Sequence, residues 1–251
     1  MSKHIYGIGF SLLILQAPAA WAQIVIDNQS INVDSISIGK NSNVGSVVID
    51  GQSVDAANAE SQETGTKTVT LANFNSIRVA IAADVTISQG EPAAATLSGE
   101  TRVLDKVAFD ITGNQLTIRP STSFSTQQPL KIELVAPHVE AVALDASGQI
   151  EVRDVAESKL TLTINGAGDI SANGQVANLT GLISGAGDLK LRRLEAAQAD
   201  VTVEGAGNVE VTARQRLAAT INGSGDIVYF GEPAAVTRNI NGAGLIQADG
   251  E

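Results

Sequence analysis

An acidic or amide side chain stands at the same place in four successive glycine phrases: Asp169, Asp188, Asn208 and Asp226. If the phrases stack, these side chains fall about 5 Å apart along one edge, and carboxylates that close attract a cation such as calcium. Glycine-rich turns that bind calcium in repeat-in-toxin proteins have a period of about nine residues, however, and the period here is near 19. The competing chemistry is local: each aspartate accepts hydrogen bonds from following backbone N–H groups and completes its turn. Leu245 fills the fifth equivalent position, where no cation ligand could stand, which favours the turn. Asp169, Asp188 and Asp226 are therefore weak candidates for a metal site, calcium is the one cation they suggest, and no cofactor is expected.

Other chemistry is sparse. With no cysteine in 251 residues there is no thiol nucleophile and no disulfide, and a zinc site of about four Cys or His ligands cannot be built. His138, after Pro137, reads as structural. Tyr229-Phe230 is a possible interaction surface, a small stacking platform for a sugar or a partner, although such a pair at a strand end usually puts one ring in the core. Acids are plentiful, yet no acidic pair stands apart from the repeat as paired-carboxylate hydrolysis would need. The glycine phrases lack the lysine and following helix of a phosphate loop. Sixteen basic against 27 acidic residues gives a net charge of −11, which argues against nucleic acid. Arg192-Arg193 is the nearest thing to a basic run and reads as a solvated face.

Those residues are positioned by a repeat. Asn165-Gly-Ala-Gly-Asp-Ile, Ser184-Gly-Ala-Gly-Asp-Leu, Glu204-Gly-Ala-Gly-Asn-Val, Asn222-Gly-Ser-Gly-Asp-Ile and Asn241-Gly-Ala-Gly-Leu-Ile place their second glycines at 168, 187, 207, 225 and 244, in steps of 19, 20, 18 and 19; Gly148 extends the series backwards by 20. Between phrases the apolar residues alternate, as in Leu160, Leu162 and Ile164, or Leu217, Ala219 and Ile221, which is strand periodicity. Short strands of three to five residues at one period predict an all-β chain, a parallel β-helix of about 18–20 residues per coil.

In such a coil Gly166, Gly168, Gly185, Gly187, Gly205, Gly207, Gly223, Gly225, Gly242 and Gly244 form a structural corner, where the backbone takes positive φ or runs too close to its neighbour for a Cβ. Ala167, Ala186, Ala206, Ala243 and Ser224 are small enough to point into that corner. Asn165, Asn222 and Asn241 suggest an amide ladder of the cross-β kind. The last coil, with Leu245, Arg238, Asp249 and Glu251, is the candidate for blunting the open end.

Upstream the phrase fades while alternation persists from about Val69, which predicts a solenoid of roughly nine turns at about 20 residues each. Residues 1–22 read as a cleaved signal peptide: Lys3, the apolar Ile5 to Leu15, and Ala20-Trp21-Ala22 before Gln23. Its removal leaves 15 basic against 27 acidic residues, or −12. Residues 23–54 read as a short N-terminal β hairpin or arm, with strand signals in Ile36-Ser-Ile and Val47-Val-Ile, 55–67 as a linker, and 68–251 as the solenoid. No later stretch is long enough to span a membrane as a helix.

The glycine phrases, the run Phe74-Asn-Ser-Ile-Arg-Val-Ala-Ile-Ala-Ala-Asp-Val-Thr-Ile-Ser-Gln-Gly, the block Gly113-Asn-Gln-Leu-Thr-Ile and the ending Gly223-Ser-Gly-Asp-Ile-Val-Tyr-Phe-Gly-Glu-Pro together resemble the exported bacterial DUF2807 family, the putative auto-transporter adhesin head or GIN domain. The resemblance covers roughly Thr68 to Glu251. It implies a right-handed β-solenoid in the periplasm or at the cell surface of a Gram-negative bacterium, and it carries over no catalytic residue. The expected function is that of a non-enzymatic scaffold or adhesion and interaction module, whose partner is an unidentified protein or glycan of the cell envelope. The alternatives are a carbohydrate-active β-helix lyase or hydrolase, and a calcium-stabilised structural module.

Overall fold

The computed structural model describes residues 24–26, 47–49, 52–54 and 63–250. The expected signal peptide, Ile36-Ser-Ile, most of the linker and Glu251 lie outside the described residues. In the first of two compact units, β1 (Ile24–Ile26) pairs parallel with β2 (Val47–Ile49), and β2 turns back antiparallel onto β3 (Gln52–Val54). Val47-Val-Ile therefore does form a strand, paired with β1 on one side and β3 on the other.

The second unit is a β-solenoid of about five turns, with a single helical turn at Thr101–Leu104. Its regular coils are β12 (Ser147–Ile164), β13 (Ala167–Ile183), β14 (Leu189–Val203), β15 (Val209–Ile221), β16 (Ile227–Phe230), β17 (Ala235–Ile240) and β18 (Ile246–Ala248), all paired parallel with the neighbouring coil. β12 to β15 are 13 to 18 residues long where strands of three to five were expected. Ladder pairing to the next coil continues around each bend, taken up by bulges such as the one between Val152 and Val155, so a strand ends only at the glycine corner.

The regular stack is shorter than the nine turns expected because the upstream strands pair out of chain order. β6 (Ala83–Gln89) lies parallel between β12 and β10 (Lys131–Ala136), while β11 (Ala141–Leu144), β5 (Ser76–Val79) and β9 (Gln115–Pro120) extend the other ladder. Antiparallel strands then close this end: β7 (Ala94–Glu100) on β10, β4 (Thr64–Thr70) on β7, and β8 (Val107–Thr112) on β9. β4 begins inside the segment expected to be linker. Alternate residues of successive coils, among them Ile164, Ile183, Val203 and Ile221, stack into one continuous buried core, and among the described residues only β17 in the last coil is exposed along its whole length.

One outer face is unusually plain. Across eight strands from β9 to β17, two ranks of side chains point outward, Gln115, Ser76, Ala141, Thr161, Thr180, Asp200, Ala218 and Thr237 in one and Thr117, Arg78, Ala143, Thr163, Leu182, Thr202, Thr220 and Asn239 in the other. Only Asp200 and Arg78 are charged. At about 4.8 Å per strand this face is about 34 Å long.

Candidate functional site

The glycine corner is set by close approach. A Cβ on Gly187 would stand 2.0 Å from Gly168 O, one on Gly207 1.9 Å from Gly187 O, and one on Gly225 1.9 Å from Gly207 O. No side chain fits there, because its first carbon would overlap the backbone of the neighbouring coil. The alanines between the glycines do not fill the corner as expected: Ala167, Ala186, Ala206 and Ala243 are exposed. They face solvent because the peptide plane is fixed by the ladder, with Ala186 N donating to Gly166 O at 3.0 Å and Ala206 N to Gly185 O at 2.9 Å.

The acidic ladder bonds across coils, where bonding within each turn was expected. Asp169 Oδ1 accepts from Asp188 N at 3.0 Å, Asp188 Oδ1 from Asn208 N at 2.9 Å, Asn208 Oδ1 from Asp226 N at 3.1 Å, and Asp226 Oδ1 from Leu245 N at 2.8 Å. Asn208 Nδ2 also donates to Asp188 Oδ1 at 3.1 Å, and Lys190 Nζ to Asp169 Oδ2 at 2.5 Å. Burial opposes ionisation of Asp169, but the Lys190 hydrogen bond and the Asp188 N–H hold its pKa below the ordinary carboxylate value. Leu245 suits its position because only its N–H is used there. Among the described residues, no group of three or more His, Asp or Glu side chains is arranged to hold a metal ion.

The amide ladder is partial. Asn241 Nδ2 donates to Asn222 Oδ1 at 3.0 Å and Asn165 Nδ2 to Asp145 Oδ1 at 2.7 Å, while Ser184 bonds Glu204 at 3.3 Å. His138 Nδ1 lies 3.0 Å from Glu157 Oε1, which also accepts from Gln89 Nε2 at 2.8 Å and Val139 N at 3.3 Å. That cluster ties the β10–β11 connection to β12.

Tyr229 and Phe230 point to opposite sides of β16, as period two requires. Tyr229 is 6% exposed, and its hydroxyl accepts a hydrogen bond from Arg238, whose guanidinium lies 5.2 Å from the ring centre. Arg238 takes the interior rank of the last coil, in register with Ala219, and is tolerated because that coil is exposed. Phe230 stands outside, partly exposed, with the Arg192 guanidinium 4.4 Å from its ring centre. Arg192 reaches on to Asp249 at 3.9 Å, and Arg214 pairs with Glu195 at 2.7 Å. Gly231 then turns the chain at φ +89°, where a Cβ would lie 2.4 Å from Ala213 O. Beside this turn is a cavity of about 430 Å³ lined by Arg214, Tyr229, Phe230, Gly231, Glu232, Ala248 and Asp249.

Residues 73–233 match the family described as "Putative auto-transporter adhesin, head GIN domain", DUF2807. The chain belongs to this family. Two crystal structures share the DUF2807 fold: a putative adhesin from Bacteroides fragilis, with a TM-score of 0.64 and 17% identity over 75% of this chain and 98% of that one, and a putative adhesin from Parabacteroides distasonis, with a TM-score of 0.50 and 17% identity over 74% of this chain and 97% of that one. No curated protein matches the sequence. Among the described residues of this DUF2807 chain, no helix is long and apolar enough to cross a membrane.

Two arrangements of the DUF2807 unit had no signal in the sequence. Arg192 looked like half of a solvated basic pair, yet it covers Phe230, 38 positions away. Glu100 stands in no motif, yet it is 1% exposed and accepts at Oε1 from Thr126 Oγ1 at 2.9 Å, Gln127 N at 2.6 Å and Gln128 N at 3.2 Å. Its Oε2 has no hydrogen bond among the described residues and is met by charge instead, Arg102 Nη2 at 2.6 Å. The Gln127 N–H, with Thr126, Gln128 and Arg102, lowers its pKa against the effect of burial.

Proposed function

We propose that this protein is a non-enzymatic adhesion or interaction module that works outside the cytoplasm. The observation that carries this reading is the flat outer face of β9 to β17, with 14 uncharged positions of 16 on a chain of net charge −11. A surface this regular and poor in charge is a suitable contact area for a macromolecule, because its hydroxyl and amide side chains can hydrogen-bond a partner and almost no charge has to be desolvated. Family membership and the adhesin-like relatives support the same reading. Export is supported by the leader-like residues 1–22.

The test is binding of the full-length purified chain, coupled to fluorescent beads, to intact Gram-negative cells and to isolated envelope fractions. Saturable retention is expected, weakened at least tenfold in a Thr180→Lys, Thr220→Lys double variant that melts like the parent. Retention no greater than that of beads coated with an unrelated protein of similar charge would overturn the proposal.

A further inference from the structure

We infer that the corner around Phe230 is a binding site for a neutral sugar ring. This rests on the reading of the chain as an adhesion module and supplies a ligand class for it. Phe230 is the aromatic ring that β16 puts outside the coil, and it lines the cavity of about 430 Å³. That volume falls in the range of small-molecule pockets, enough for one or two pyranose rings. An aromatic ring beside such a space packs against the apolar C–H face of a sugar, while its hydroxyls seek planar donors and acceptors at the rim.

Both kinds of group are present. Arg214 supplies N–H donors, and Glu232 and Asp249 supply carboxylate acceptors. Arg214 pairs with Glu195 at 2.7 Å, while Arg192 stands outside the lining, over Phe230 at 4.4 Å. The charge balance selects the class of sugar. One guanidinium, that of Arg214, stands with two carboxylates, Glu232 and Asp249, so no excess positive charge rewards a uronate or a sulfated sugar. Hydroxyl pairs bridging a guanidinium and a carboxylate suit a neutral hexopyranose. The site lies at the end of β16, on a different run of the coil from the plain face of β9 to β17.

The experiment applies the labelled full-length chain to a printed array of neutral and uronic-acid glycans, followed by titration of the best neutral oligosaccharide with saturation-transfer NMR. Binding to neutral glycans with Kd on the order of 0.1–1 mM is expected, as for a shallow site with one ring stack. Phe230→Ala and Arg214→Ala should each weaken it about tenfold or more while leaving the melting temperature within a few degrees of the parent, because both side chains lie outside the core. No binding to any neutral glycan, or preference for uronates, would overturn the assignment. So would an unchanged Kd in Phe230→Ala. Retention of the parent on cells with unchanged glycan binding in Phe230→Ala would remove this site and leave the adhesion reading intact, whereas loss of both would remove the reading itself.

Discussion

The backbone N–H of Asn208 donates to Asp188 Oδ1 at 2.9 Å, so a side chain in one glycine phrase satisfies the main chain of the next. Asp188→Ala removes the acceptor for this N–H and for Asn208 Nδ2 together. Loss of about 1–2 kcal/mol is expected in urea unfolding, with a smaller loss for Asp188→Asn, which keeps an oxygen. An Asp188→Ala protein as stable as the parent would show that the bond contributes nothing.

Calcium and a chelator should leave the melting temperature the same. The Oδ1 atoms of Asp169, Asp188 and Asp226 already accept backbone N–H groups, and a cation would have to compete with those bonds. A rise of several degrees in calcium would make the ladder a cation site.

Two glycines separate close approach from backbone conformation. At Gly207 a Cβ would meet Gly187 O at 1.9 Å, so Gly207→Ala must spread two coils and is expected to destabilise by about 2–4 kcal/mol. At Gly113 φ is +60° and nothing lies within 4 Å, so Gly113→Ala should lose only the left-handed penalty of about 1–2 kcal/mol. Denaturant midpoints of the two variants check the order.

Acid should weaken the fold through Glu100 and Asp169. Both carboxyls are held below their ordinary pKa, Glu100 first by the Gln127 N–H, and Asp169 by Lys190 and the Asp188 N–H acting against burial. A lowered folded pKa means stability that is fully present above the unfolded value of about 4 and is lost as pH falls through the folded value. Glu100→Gln should therefore have a lower urea midpoint than the parent at pH 7, with the gap narrowing below about pH 4. A gap that stays constant down to pH 2 would show that Glu100 is not ionised in the fold.

What the sequence disclosed follows from how each feature is enforced. The glycine corner was legible because a Cβ at Gly187 or Gly207 collides with backbone, which keeps the phrase nearly identical from coil to coil. The alternating core was legible for the same reason, since Ile183 and Val203 occupy one rank of one stack. Upstream, Asp84 pairs with Lys131 and Ala95 with Leu134, contacts between strands far apart in the chain that leave no period to read. Nine turns were expected because alternation marks a strand without marking its partner. The direction of Ala186 and the reach of Arg192 over Phe230 depend on peptide planes and side-chain paths that a residue list does not contain.

The parallel pairing of β12 to β15 also gives the solenoid a mechanical grain. Its inter-strand hydrogen bonds run along the stack, so tension applied between the two ends of the stack opens one rung at a time. A load applied across the coils must shear a whole ladder, with a dozen or so bonds breaking together. A ligand held at the side of the stack, on the plain face or beside Phe230, therefore pulls against the stiff direction of the molecule.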